Sequence, residues 1–179
     1  MTKARVKKYI GSLSAQQLRD MILETYEQWK PARKWLDFYA DPDVDKLDEE
    51  YRRKVDACFF RSGTARTRQD CRKALALARE FAMLCPEPTS VAAILLYALQ
   101  RGMEAMTERR FDRGWGWKRG HYGFSYTGYV ALLTELLNHL ESNDTLDYFQ
   151  PHLRKLLRDG DSVSHSLGDA MREACERMN

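Results

Sequence analysis

The densest collection of chemically capable side chains in this chain is the segment 108–126, ERRFDRGWGWKRGHYGFSY. Arg109, Arg110, Arg113, Lys118 and Arg119 stand there against only Glu108 and Asp112, interleaved with Phe111, Trp115, Trp117, Tyr122, Phe124 and Tyr126. A guanidinium presents a planar fork of donors that fits the two oxygens of a carboxylate or phosphate, and indole or phenol faces stack on bases or on arginine. Gly114, Gly116, Gly120 and Gly123 remove helix propensity, so the segment is expected to be a long loop. Its candidate partner- or anion-binding residues are Arg109, Arg113, Trp115, Trp117, Lys118, Arg119, His121 and Tyr122. Two readings compete: the tryptophans fold back as plugs over a helical core, or the loop offers itself to a partner. Long connections inside compact domains are often functional ones.

A second basic cluster comprises Arg61, Arg66, Arg68, Arg72 and Lys73, opposed only by Asp70. Cations at a helix start are mildly unfavourable, which slightly favours an anionic partner for Arg66, Arg68 and Arg72, while a solvated basic face is the preferred reading of the cluster. The remaining reactive types form no recognisable chemistry. His139 follows Glu135 by one helical turn, while His152 and His165 stand alone, and no HExxH or Cys/His spacing joins them. Cys58, Cys71, Cys85 and Cys175 include no CxxC pair and sit at apolar positions of helical patterns, as reduced, small hydrophobes do. There is no GxSxG elbow and no phosphate-binding glycine loop after a strand. The sequence therefore predicts no catalytic residue, no metal and no cofactor, and an enzyme is the least favoured class.

The element expected to position everything else is the stretch Ser90–Met106, SVAAILLYALQRGMEAM. From Val91 to Leu99 it carries no charge, so apolar groups point all round a helix and the rod is expected to be buried on every side. The other segments carry one apolar stripe and a charged back. Ser14 with Gln17 makes a capping-box pattern before the stripe Leu18, Met21, Ile22, Tyr26 and Trp29, which Pro31 interrupts. Further stripes run from Leu47 to Phe59, from Cys71 to Cys85, from Tyr129 to Leu140 and from Leu146 to Leu157. Arg158-Asp159-Gly160-Asp161 reads as a joint, with Gly160 left-handed after one helix and Asp161 capping the last. With no alternating run long enough for a strand, the fold class is all-α. Residues 1–179 are expected to form a single domain of about seven main helices. These would pack as antiparallel hairpins, in a bundle or a short solenoid-like stack around residues 90–106.

In order along the chain, Lys7-Lys8-Tyr9-Ile10, Ser12-Leu13-Ser14 with Gln17-Leu18, Asp37-Phe38-Tyr39 with Pro42, and Phe59-Phe60 recur as a pattern. Cys71-Arg72-Lys73-Ala74, Phe81, Pro86 with Pro88, and Leu96-Tyr97 continue it. This pattern resembles an uncharacterised bacterial family of small helical proteins, known only as a domain of unknown function, mainly over residues 1–100. The resemblance implies an all-helical fold and brings no catalytic residue. A balance of 29 Lys plus Arg against 26 Asp plus Glu is too mild to mark a nucleic-acid binder by itself, and no apolar run is long enough for a membrane span. The expected function is a non-catalytic, cytoplasmic interaction domain presenting the basic-aromatic loop to a protein partner. Nucleic-acid or other phosphate binding through the clusters at 61–73 and 109–119 is the alternative. Self-association into a homo-oligomer is also compatible with tryptophans at a surface.

Overall fold

A computed structural model describes residues 2–60, 70–85, 87–112, 126–163 and 165–176. Among these residues there are nine helices, and the fold is all-α. The excess over seven comes from short pieces, of which Lys3–Gly11 (α1) and Lys30–Ala40 (α3) are 9 and 11 residues long. The chain divides into two compact units, residues 1–43 and 44–179.

The first unit holds α1, Ala15–Gln28 (α2) and α3. Ser14 accepts from the Gln17 backbone N–H at 3.2 Å while the Gln17 side chain accepts from the Ser14 N–H at 2.9 Å, so the capping box satisfies two orphan donors reciprocally. Trp29 ends α2 and begins α3, with Pro31 in the first turn, where its missing N–H costs nothing. The α2–α3 corner is pinned by Tyr26, whose hydroxyl donates to Asp37 at 2.9 Å, and by Arg33, which donates to the carbonyls of Tyr26 at 3.2 Å and Glu27 at 3.0 Å. The Asp37 carboxylate, as hydrogen-bond acceptor, raises the Tyr26 pKa.

The second unit is organised around Pro88–Asp112 (α6), against which Val44–Phe59 (α4), Cys71–Leu84 (α5), Tyr126–Ser142 (α7) and Leu146–Val163 (α8) all pack. His165–Glu176 (α9) closes over α7 and α8. Ile94, Leu95, Ala98 and Leu99 of α6 lie at 2% exposure or less, with Tyr51, Phe59, Phe81, Leu132, Leu136 and Tyr129 around them. Tyr129 donates to the Leu99 carbonyl at 3.0 Å, which satisfies its buried hydroxyl. Between α5 and α7, Arg79 meets Glu135 through two bonds of 3.0 and 2.8 Å. This pairing lowers the Glu135 pKa.

Three expectations need correcting. The central helix does not stop at Met106: its backbone continues to Asp112, because Glu108, Arg109 and Arg110 are good helix formers that prolong a helix past its apolar stripe. Arg109, expected on loop backbone, therefore has helical backbone. Gly160 is no joint. It is a buried residue inside α8, without a left-handed φ, and a Cβ there would stand 2.6 Å from the Met171 sulfur of α9 and 3.7 Å from the Met103 methyl of α6. The glycine serves close approach of helices rather than a turn, and Asp161 pairs with Arg172 of α9 at 2.7 Å instead of capping. Finally, α6 is not covered on every side: Ala93, Tyr97 and Gln100, spaced by one turn, are only half-buried.

Cys71, at the start of α5, is buried, and that burial followed by the charge of Asp70 pushes its thiol up to about 11. The unfolded chain would ionise it near the ordinary thiol value, so the folded state holds the extra proton. Its contribution to stability is complete below about pH 9 and disappears between about pH 9 and 11. Melting temperatures of the wild type and Cys71→Ala at pH 8 and pH 10.5 check this. The wild type should lose more of its melting temperature over that interval than the variant, and equal losses would remove the assignment. Burial raises Tyr51 and Tyr129 in both proteins, and Cys71 adds a smaller raise to Tyr129, so the difference reads the thiol together with the ring it acts on.

Candidate functional site

Of the residues singled out for binding, Arg113, Trp115, Trp117, Lys118, Arg119, His121, Tyr122, Arg66 and Arg68 lie outside the described residues, as does the side chain of Arg109. Arg72 is described, exposed in the first turn of α5 beside Asp70, whose carboxylate caps that helix by accepting from the Lys73 N–H at 3.0 Å. The capping carboxylate offsets the cation there, so Arg72 alone builds no anion site. Glu135 is engaged by Arg79, and His139 Nε2 lies 2.9 Å from the Pro88 carbonyl oxygen, so both have structural partners. Among the described residues no three His, Cys, Asp or Glu side chains gather as a metal site.

Two other features do bring chemically capable side chains together. In the first unit, large apolar groups stand in water: Tyr9, Leu23 and Trp29 are each 60% exposed, and Val6, Ile10, Ile22, Trp35 and Tyr39 exceed 40%. Among its described residues only Ala32 is buried. Val6, Tyr9 and Ile10 fall on one face of α1, whose other positions include Lys3, Arg5, Lys7 and Lys8 and no acid. Trp35 and Tyr39 stack one turn apart on α3, their centroids 4.5 Å apart. A helical unit this small cannot enclose a core of its own, and its stripe residues remain as surface.

The second feature is a groove in the second unit, between α6 and α8. The half-buried residues Ala93, Tyr97, Gln100 and Thr107, with exposed Glu104 among them, form one wall, and Phe149, His152, Lys155 and Asp159 the other. Two pockets of about 430 and 490 Å3 adjoin there, sharing Gln100 and His152. Arg52 of α4 reaches the first pocket, donating through Nε to Asp48 and lying with Cζ 4.6 Å from the centre of the Tyr97 ring. Tyr97 donates to Asp56 at 2.8 Å, and Arg101 donates to the same oxygen at 2.7 Å. Burial first, and then the Asp56 carboxylate, raise the Tyr97 pKa, so the phenol stays protonated. The sequence signal for this groove was present but quiet: Tyr97 and Gln100 are polar-tipped residues one turn apart within and at the end of the uncharged run of α6.

Fold and surface together define a class: an all-helical protein centred on one long helix, carrying an amino-terminal helical unit with an uncovered apolar surface, and with no helix among the described residues long and apolar enough to cross a membrane. The chain belongs to a family of unknown function (DUF6155), whose model matches residues 1–136, from α1 into α7. No curated protein and no solved structure shows significant similarity to it. The match reaches beyond the residues 1–100 on which the resemblance rested. It includes the α4 and α6 walls of the groove, while α8 lies past its end.

Proposed function

We propose that this protein is a non-catalytic, cytoplasmic helical interaction module whose amino-terminal unit engages a partner protein. The observation that carries the reading is the exposure of Tyr9, Leu23, Trp29 and Tyr39, at 53–60% each, within 43 residues. Burying one such side chain contributes about 1.5–3 kcal/mol, and rings of this kind dominate the energetics of protein interfaces. The four cations of α1, with no acid among them, favour a partner whose apolar face is edged by carboxylates. The composition of 108–126, arginine and tryptophan on glycine-spaced chain, supports the same role as a second contact. Reduced thiols at Cys58, Cys71 and Cys85 suit a cytoplasmic location.

The test compares full-length wild type with the triple variant Tyr9→Ser, Leu23→Ser, Trp29→Ser, using a partner first found by affinity capture and then purified. Direct binding should fall by at least about a hundredfold, as for the loss of interface anchors, with the melting temperature nearly unchanged. Unchanged binding, or tryptophan fluorescence in the free monomer already shielded from acrylamide at positions 29 and 35, would overturn the reading. Lys3, Arg5, Lys7 and Lys8 also leave room for a nucleic acid. Retention of an oligonucleotide at low salt, declining along a straight log–log slope with ionic strength, would put that class in its place.

A further inference from the structure

The charges of the amino-terminal unit are sorted by helix. Lys3, Arg5, Lys7 and Lys8 stand on α1 without an acid, whereas α2 carries Asp20, Glu24 and Glu27 against Arg19 alone. Among the described residues none of these side chains takes part in an ion pair. Asp20 and Glu24 accept only from the neutral amides of Gln16 and Gln28, at 2.9 and 3.0 Å, which leaves their charge uncancelled.

Each set of charges borders exposed apolar groups. Val6, Tyr9 and Ile10 have Lys3, Arg5 and Lys7 respectively one helical turn before them. On α2, Leu23 is 60% exposed, with Asp20 one turn before it and Glu27 one turn after. One helix therefore offers an apolar face edged by cations, and the other an apolar face edged by carboxylates, which are complements.

Within one chain the two faces do not meet. Residues 2–12 are all exposed, and α1 has no extended packing against another described helix. The corner between α1 and α2 is held by the Ser12 N–H and hydroxyl, which donate to the Tyr9 carbonyl at 3.0 and 2.7 Å, and by the Leu13 N–H on the Ile10 carbonyl at 3.2 Å. The Ser14–Gln17 capping box follows at once. Local hydrogen bonds thus fix the corner in a form that leaves both faces open. A second copy can cover what the first leaves open: α1 of one laid along α2 of the other, and the same contact in reverse, close around a two-fold axis. A helix of 9 residues covers little area by itself, and the reciprocal contact doubles it.

We propose that the partner of the amino-terminal unit is a second copy of this chain, in a reciprocal dimer in which α1 of each copy lies along the Leu23 face of α2 in the other. The inference rests on the reading of that unit as a protein-binding surface and names its partner. The apolar side chains supply most of the affinity, since exposed ion pairs contribute little, and the charges select the partner and its orientation.

Sedimentation velocity of the full-length protein from about 1 µM to about 0.5 mM tests it, a range that spans moderate to weak association. The wild type should pass from monomer to dimer, less readily as salt is added, and Leu23→Ser should raise the dissociation constant about tenfold or more. The decisive arm uses two charge-reversed proteins, Lys3→Glu with Arg5→Glu and Lys7→Glu, and Asp20→Lys with Glu24→Lys and Glu27→Lys. Each alone sets like charges together in both contacts and should stay monomeric, while their equimolar mixture restores both contacts and should form the dimer. All the substituted side chains are exposed, and circular dichroism with the melting temperature of each variant establishes that folding is intact. A wild type still monomeric at the highest concentration would overturn the proposal. So would a dimer indifferent to the reversals, a mixture that stays monomeric, or a mass that grows past two copies. A monomeric wild type retained on vesicles of an anionic phospholipid would assign the cationic face of α1 to a lipid surface instead. If the wild type is monomeric yet Tyr9→Ser, Leu23→Ser, Trp29→Ser abolishes binding of a different captured protein, self-association alone is overturned and the protein-binding reading stands.

Discussion

Leu95→Asp should abolish cooperative folding. Leu95 is 2% exposed at the centre of α6, the helix that four others pack against. A carboxylate there would have no cationic partner among the surrounding leucines and aromatic rings. The loss combines the apolar contacts of the leucine with the burial of an unpaired charge, several kcal/mol in all, against a total stability of about 5–15 kcal/mol for a domain. The expected result is a circular-dichroism trace without a melting transition, or a soluble yield near zero. Gln100→Asp, only five residues on, sits on the half-buried strip that borders the groove and should melt within a few degrees of the wild type. The pair tests the asymmetry of the central helix as well as its burial. A Leu95→Asp protein with a near-normal melt would mean that α6 is not the core.

That contrast also marks how far the sequence could be read. An uncharged run from Val91 to Leu99 can only be accommodated where other elements cover it, so its central place was legible from composition alone. The same holds for the Ser14–Gln17 cap and for the break at Pro31, because both are local chemistry: one hydroxyl, one amide and one missing N–H decide them. Gly160 shows where local chemistry misleads. Asp-Gly-Asp reads as a turn, yet Met171 and Met103, distant in sequence, require an absent side chain at that position, and tertiary contact overrode the local signal. The groove was missed for a related reason. Tyr97 and Gln100 acquire their meaning only when Arg52, 45 and 48 residues earlier, is brought beside them. For the amino-terminal unit the stripes themselves were visible in the sequence. Their exposure was not, because an apolar stripe states that something should cover it without saying what.

The amino-terminal unit offers area: many rings, little enclosure and one short helix of uniform charge, a combination suited to a macromolecular face.

Gly102→Leu should be nearly as damaging as a charge in the core, for a purely steric reason. A Cβ at this position would lie 3.2 Å from the Tyr129 ring and 3.3 Å from the Phe59 ring, closer than rings normally allow. Both neighbours are fully buried and neither is the loose end of a flexible chain. Tyr129 is further tied by its bond to the Leu99 carbonyl, so it cannot turn away without leaving a buried donor unsatisfied. Glycine inside a helix costs about 1 kcal/mol relative to alanine, and here that cost is accepted so that α4, α6 and α7 can cross closely. Gly102→Ala should therefore be destabilising despite its better helix propensity, by about 1–2 kcal/mol, or roughly 2–8 °C in melting temperature for a chain of this size. Leucine adds three more carbons with nowhere to go, and the expected loss exceeds about 3 kcal/mol. Gly11→Ala, where nothing stands within 4 Å of the new methyl, is the matching control and should be close to neutral. If Gly102→Ala were instead to raise the melting temperature, the three helices would have to be packed less closely than the contacts of Phe59 and Tyr129 require.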